Sequence, residues 1–266
     1  MPEESTKPDC FVFDPSPEGK LLLRSDGGPK KLKDADLAHL RDRIVLRGSA
    51  NMPQDDGDVW ALLSDAPDLP DGYALCARRD LPALFGDVFF TRSGIAYQMM
   101  NLTRRNKFCG VCGAPMTGHA LERARHCRAC GNLVYPSMSP AVIVAVERDD
   151  TLLMGHGVNF PSGRYSVLAG FVEPGETLEE TVAREIFEES RVRVKNIRYF
   201  GSQPWPFPNS MMLGFKADWA SGDPMPGDDE LTDVRWFRRD EVPDMPPSVS
   251  ISRRLIDDWL LRKPKS

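Results

Sequence analysis

The most regular apolar spacing in the chain lies between Gly170 and Val192, GFVEPGETLEETVAREIFEESRV. Leu178, Val182 and Ile186 recur in steps of four, which turns one stripe of a helix toward a core. Thr177 stands three residues before Glu180, a capping-box spacing that starts such a helix, and Pro174-Gly175 before it is turn chemistry. Around this helix the pattern is that of strands. Ala141–Val146 is a continuous apolar run of the buried kind, Thr151–Met154 follows it, and Asp149-Asp150 between them reads as a hairpin turn. Gly163–Ala169, Val194–Phe200, Met211–Ala217 and Val234–Phe237 read as further strands. Ser248–Leu261 is amphipathic, with Ile251, Leu255, Ile256, Trp259 and Leu260 on one face, and reads as a packing helix.

The first hundred residues are patterned more weakly. Cys10–Phe13, Lys20–Leu23, Ile44–Leu46 and Tyr73–Ala77 read as strands, the last as a buried one. Asp58–Leu63, Leu81–Phe85 and Ala96–Lys107 read as helices. The organisation expected is an N-terminal mixed α/β domain over 1–104, a small ribbon over 105–135, and a third domain over 136–266. In that third domain the order strand, loop, strand, helix, strand predicts an α/β (α+β) sandwich, a mixed sheet between helices.

Composition narrows the class. A formal charge of −5 argues against indiscriminate binding along nucleic-acid backbones. No apolar run approaches the roughly 20 residues that span a membrane, the N-terminus lacks the apolar stretch of a signal peptide, and KPKS at the end is no retention signal. A cytoplasmic location is therefore expected, and there six cysteines read as metal ligands or inert thiols. Cys10 and Cys76, in apolar runs, read as inert. Among the histidines, His39 has no visible constellation, His126 reads as a surface residue, and His156, between two glycines, as a loop residue.

Three stretches carry chemistry. On the polar side of the central helix, Glu185, Glu188 and Glu189 stand at i, i+3 and i+4, and their carboxylates crowd one face. That is either a solvated acidic face or a site for a divalent cation, and the Gly-rich loop at fixed spacing before the helix favours the second. Cys109-Gly-Val-Cys112 and Cys127-Arg-Ala-Cys130 are two CxxC knuckles with fourteen residues between them, close to four-cysteine zinc spacing. Four thiolates leave no open position, so Zn²⁺ there would be structural. Arg104, Arg105, Lys107, Arg123, Arg125 and Arg128 surround the knuckles, as a solvated face or as a funnel for phosphates. Finally, Ser202–Ser210 alternates three prolines with Trp205 and Phe207 (SQPWPFPNS), a stiff loop or edge segment that would either face a core or stack on a flat ring.

Gly170, Glu176 and Arg184-Glu185-Ile186-x-Glu188-Glu189 together resemble the Nudix box of hydrolases that cut nucleoside diphosphate linkages. One position departs: the family has a glycine where this chain has Arg191. An arginine in the left-handed exit would cost about 1 kcal/mol, unless the exit is built differently. SQPWPFPNS after the box, with the four cysteines before it, resembles the NADH pyrophosphatases of the NudC type. The resemblance implies a Nudix fold and cleavage of NADH or NAD⁺ at the pyrophosphate to NMN(H) and AMP. It also implies removal of NAD caps from RNA 5′ ends, by a homodimer. Glu185, Glu189, Glu230 and the Ala169 carbonyl would hold Mg²⁺ or Mn²⁺, with Glu188 as a further ligand; Asp228 and Asp229 compete locally with Glu230. Glu188 or Glu189 would accept the proton, and Arg184 would orient the cluster. Trp205 and Phe207 would border a flat ring, and Gln203 and Ser210 offer polar contacts within the segment that Pro204, Pro206, Pro208 and Asn209 complete. Glu122 and Tyr135 match substrate contacts across the ribbon, and Ser252 would touch substrate through its backbone. Two other readings stand beside this one: the same enzyme acting on another nucleotide conjugate such as ADP-ribose, and a nucleotide-sensing binding module.

Overall fold

The computed structural model describes residues 9–49, 57–64, 69–227 and 229–262. Asp228, the extreme N-terminus and the closing KPKS lie outside the described residues. Residues through Ser137, together with Pro206–Asn209, form one unit; Met138–Trp205 with Ser210–Ser266 form the other.

In the first unit, β1 (Cys10–Phe13), β2 (Leu21–Arg24), α1 (Asp34–His39), β3 (Ile44–Ser49), β4 (Val59–Leu63) and β5 (Tyr73–Cys76) precede one long helix, α2 (Leu81–Arg105). The sheet runs β3-β4-β1-β2-β5, with β4 parallel to β1 and the other neighbours antiparallel. The helix expected over Asp58–Leu63 is instead strand β4, inside that sheet and largely buried. A short apolar run has no period that separates a buried strand from a helix, and here VWALL was long enough only for a strand. Tyr73–Cys76 is an edge strand and only half-buried, so its expected burial does not hold. The helices expected at Leu81–Phe85 and Ala96–Lys107 are the two ends of α2, which kinks at Gly86 (φ 80°) and ends at Arg105. Cys10 is buried, and burial and Asp34 push its thiol up to about 12. After α2 come three short antiparallel strands, β6 (Thr117–Gly118), β7 (Arg125–His126) and β8 (Leu133–Val134).

The second unit contains β9 (Ser139–Arg148), β10 (Thr151–Gly157), β11 (Leu168–Phe171), α3 (Leu178–Ser190), β12 (Arg193–Trp205), β13 (Ser210–Ser221), β14 (Leu231–Arg238) and α4 (Ile251–Leu261). Its sheet runs β12-β13-β9-β10-β14, with β11 also on β9, and it is mixed: β13 lies parallel to β9. Strand β9 shows why its sequence is apolar without alternation. Val142, Val144 and Val146 point into a core with Val182 and Ile186 of α3, while Ile143 and Ala145 point into another with Ile251, Leu255, Ile256 and Trp259 of α4. Side chains alternate faces along a strand, and here both faces are covered by helices.

Three expectations change in this unit. The strand expected at Gly163–Ala169 begins only at Leu168, because Gly163 turns (φ 79°) and Arg164 and Ser166 bridge to two different partners, Asp244 and Gly155. His156 lies inside β10, not in a loop, with Nδ1 2.7 Å from the Arg164 carbonyl. β12 continues past Phe200 through Trp205; it is an edge strand, where Pro204 removes no ladder bond that a neighbour needs.

Candidate functional site

Helix α3 begins as its sequence dictates. The Thr177 hydroxyl accepts from the Glu180 amide (3.3 Å), and the Glu180 carboxylate accepts from the Thr177 amide (2.8 Å). Val182 and Ile186 are fully buried, which fixes the rotation of the helix and turns Arg184, Glu185 and Glu188 away from that core.

Arg184 organises these residues. It donates from Nε to Glu176 (2.5 Å), from Nη2 to Glu176 (2.9 Å) and to the Phe171 carbonyl (2.9 Å), and from Nη1 to Glu188 (2.9 Å), with Glu185 also 2.9 Å away. The Arg184 guanidinium, with the Glu173 amide and Thr181 hydroxyl, holds the Glu176 carboxyl down to about 2. Glu185 shifts the opposite way: burial raises it, Arg184 opposes, and Glu188 and Glu230 raise it further. A carboxylate penalised by burial and by like charges is what a cation would relieve. Its backbone cradle is equally specific, since a Cβ on Gly170 would fall 1.9 Å from the Glu185 carboxyl carbon.

Glu189, 5% exposed, lines a cleft of about 560 Å³ with Ala169, Asp229 and Glu230. The amide of Val158, just past β10, donates to the Glu230 carbonyl (3.0 Å). The donors available there are oxygens only, the chemistry that hard cations such as Mg²⁺ or Mn²⁺ select. Among the described residues, no trio of carboxylates brings its oxygens within 4.8 Å of one another, the limit that the cysteines do meet.

Those four cysteines gather as the spacing predicted. Cys109, Cys112, Cys127 and Cys130 place all four Sγ atoms within 4.8 Å of one another, and they stand as separate thiols. Each knuckle closes alike, Gly113 donating to the Cys109 carbonyl (2.9 Å) and Gly131 to the Cys127 carbonyl (2.8 Å), both glycines at positive φ. The backbone amides of Cys112 and Val111 bring the Cys109 thiol down to about 6. Four sulfur donors gathered this closely fit Zn²⁺. On the ribbon, the Tyr135 hydroxyl donates to the Glu122 carboxylate (2.5 Å), so two residues expected to contact substrate meet each other.

The Ser202–Ser210 segment divides. Gln203 is committed to α4: its Nε2 donates to the Val249 carbonyl (2.7 Å) and its Oε1 accepts from the Ile251 amide (2.6 Å). Pro204 pairs with Met211, and Trp205 with the buried Ser210, at the end of the β12–β13 ladder. Pro206 packs on Gly94 and its carbonyl accepts from Arg78 (2.7 Å). The Phe207 ring lies between the guanidinium groups of Arg78 (4.6 Å) and Arg79 (5.0 Å) and the Phe90 ring. Asn209 donates to the Ser137 carbonyl (3.0 Å). The open stacking platform expected here is therefore partly filled by the protein's own cations. Phe207 and Pro208 do line a cleft of about 810 Å³ with Lys20, Arg79, Arg104 and Arg105. Of the remaining ribbon bases, Arg125 is engaged with the Met116 and Asn106 carbonyls. Ser252, 5% exposed, directs its hydroxyl to Ser166 (2.7 Å).

A NADH pyrophosphatase zinc ribbon domain matches residues 104–135, and a NUDIX domain residues 138–260. A Pseudomonas putida protein named NAD-capped RNA hydrolase NudC is 45% identical over 252 residues, covering 93% of this chain and 88% of that one. The chain belongs to the NudC family of Nudix proteins. A Pseudomonas syringae pv. tomato NudC of the same description is 48% identical over 174 residues, 65% of this chain and 63% of that one. In an Edwardsiella ictaluri NudC the match spans 66% of the length, so the chain covers just under two thirds of such relatives. A solved NUDIX hydrolase from Nitrosomonas europaea is 28% identical, covers 58% of this chain and 90% of its own, and has a TM-score of 0.49.

Several residues around these carboxylates went unmarked in the sequence. Phe171, 56% exposed, presents a ring beside Gly170 while its carbonyl holds Arg184. Val158 and Phe160 line the cleft with Glu189 and Glu230. Val158 and Phe160 lie in a turn, where apolar residues carry no period, and Phe171 closes the short strand β11 beside the box.

Proposed function

We propose that this chain hydrolyses the pyrophosphate bond of NAD(H), giving NMN(H) and AMP, and removes NAD caps from RNA 5′ ends. The observation that carries the reading is the Gly170–Glu185 cradle, with Arg184 tying Glu176, Glu185 and Glu188 beside a cleft lined by Glu189 and Glu230. The names of the NudC relatives supply the substrate class.

In this reading Glu185, Glu189, Glu230 and the Ala169 carbonyl hold Mg²⁺ or Mn²⁺, with Glu188 as a further ligand. The cation would neutralise phosphate charge and lower the pKa of a bound water. Glu188 or Glu189 accepts the proton of the attacking water. Arg184 keeps Glu185 and Glu188 aimed while Glu176 balances its charge. Tyr135 and Glu122, Trp205 and Phe207, and the backbone at Ser252 belong to the nucleotide-binding part of the proposal, and Zn²⁺ on the four cysteines is structural. Mg²⁺ or Mn²⁺ as the metal, the homodimer, the cytoplasmic location and the division at 1–104, 105–135 and 136–266 are proposed on the same resemblance. Among the described residues, no helix is long and apolar enough to cross a membrane.

The test offers NADH, NAD-capped RNA and ADP-ribose in parallel with Mg²⁺ or Mn²⁺, and identifies products. NMN(H) and AMP, and a 5′-monophosphate RNA, are the expected products. Turnover confined to ADP-ribose would overturn the substrate, and binding without turnover would make the protein a sensor.

A further inference from the structure

Arg191 stands where the Nudix box has glycine, and the exit from α3 shows what the arginine does. It takes the left-handed conformation (φ 59°, ψ 10°) that glycine adopts without strain. Its amide closes the helix on the Phe187 carbonyl (2.9 Å), and its guanidinium lies over the Phe187 ring (5.6 Å) and donates to the Gly227 carbonyl. Two backbone bonds join the same segments: Met225 donates to the Ser190 carbonyl (3.1 Å) and Gly227 to the Glu189 carbonyl (3.0 Å). The approach leaves no room for a side chain, since a Cβ on Gly227 would fall 1.9 Å from the Glu188 carbonyl oxygen.

Glu230 follows Gly227 by three residues. Its own carbonyl is held by Val158, just past β10, while Gly227 is held at the end of α3. A charge-assisted bond from a side chain reinforces these two backbone bonds. A glycine at 191 would relax the turn and remove that bond.

We propose that Arg191 is a positioning residue for the divalent-cation site, tying Gly227 to the C-terminus of α3 so that Glu230 stays beside Glu185 and Glu189. This rests on the reading of those three glutamates as cation ligands. The strain of a left-handed arginine is accepted in exchange for a fixed place for Glu230.

The test uses the full chain and three variants, Arg191→Gly, Arg191→Lys and Glu230→Gln. Mn²⁺ binding is measured directly by electron paramagnetic resonance, melting in EDTA by circular dichroism, and KM for NADH at saturating metal. Arg191→Gly is expected to melt at or above the wild-type temperature yet bind Mn²⁺ about tenfold more weakly, as for other partners that orient metal ligands. KM for NADH stays unchanged, and Arg191→Lys, which keeps a cationic donor, recovers most of the affinity. Wild-type Mn²⁺ affinity in Arg191→Gly with weakened binding in Glu230→Gln overturns the tether and leaves the ligand reading standing. Wild-type affinity in Glu230→Gln overturns the ligand reading and the tether with it. A lowered melting temperature with unchanged Mn²⁺ affinity makes Arg191 structural only and also overturns the proposal.

Discussion

The Glu185 carboxylate lies directly against the Gly170 backbone, where a Cβ would fall 1.9 Å from its carboxyl carbon and 2.1 and 2.2 Å from its oxygens. Gly170→Ala should therefore expel Glu185 from its cradle while leaving both hydrophobic faces of the sheet intact. The expected result is a loss of hydrolysis of about 10–100-fold, comparable to losing a metal-orienting group, with a native circular dichroism spectrum. NADH turnover within a few-fold of wild type would refute the cradle.

Glu176 makes pH a probe of the Arg184 network. Its carboxyl is held at about 2 against an ordinary 4.5, so its bonds stabilise the fold fully above pH 4.5. That contribution is lost as the pH falls from 4.5 toward 2. Melting curves of wild type and Glu176→Gln should differ at pH 7 and converge across that window. A constant difference at every pH would assign the stabilisation to something other than the ionised pair.

Gln203 separates a structural from a binding role. Both ends of its amide are used at the N-terminus of α4. Gln203→Ala is expected to cost about 1–2 kcal/mol, as for the loss of a helix cap, and to change KM for NADH by less than about twofold. An unchanged melting temperature with a sharply raised KM would return Gln203 to the substrate.

The ribbon should depend on its metal. Cys109→Ser is expected to release Zn²⁺ and unfold the segment around β6–β8, whose buried residues are chiefly Cys109, Met116 and Cys127. Such a core is too small to stand without a staple. Zinc content by atomic absorption and protease sensitivity near residues 105–135 check this. Full protease resistance without zinc would show that the thiols are not needed.

What the sequence disclosed follows from the range of the signals. Helix α3 was legible because its capping box and four-residue stripe are local, and the cysteine cluster because two knuckles carry their own geometry. Strand β4 was misread because a short apolar run lacks a period, and α2 because Gly86 interrupts its pattern. The fate of Phe207 was out of reach. Its cationic partner Arg78 also binds the neighbouring Pro206 carbonyl, 128 residues away in sequence, and no local pattern records such a meeting. Gln203 illustrates the same limit, for its amide serves Val249 and Ile251 rather than solvent.

Strand β9 also acts as a ruler. Val142 and Ile143 pair with Gly170 and Ala169 on one edge and with Leu213 and Gly214 on the other. One inserted residue in β9 would exchange the side chains owed to α3 with those owed to α4 and slide Gly170 about 3.4 Å from its place under Glu185. Length changes in such a chain are confined to its turns, such as Asp149-Asp150, and a lineage that lengthened this strand would lose its hydrophobic cores and its carboxylate cradle in the same step.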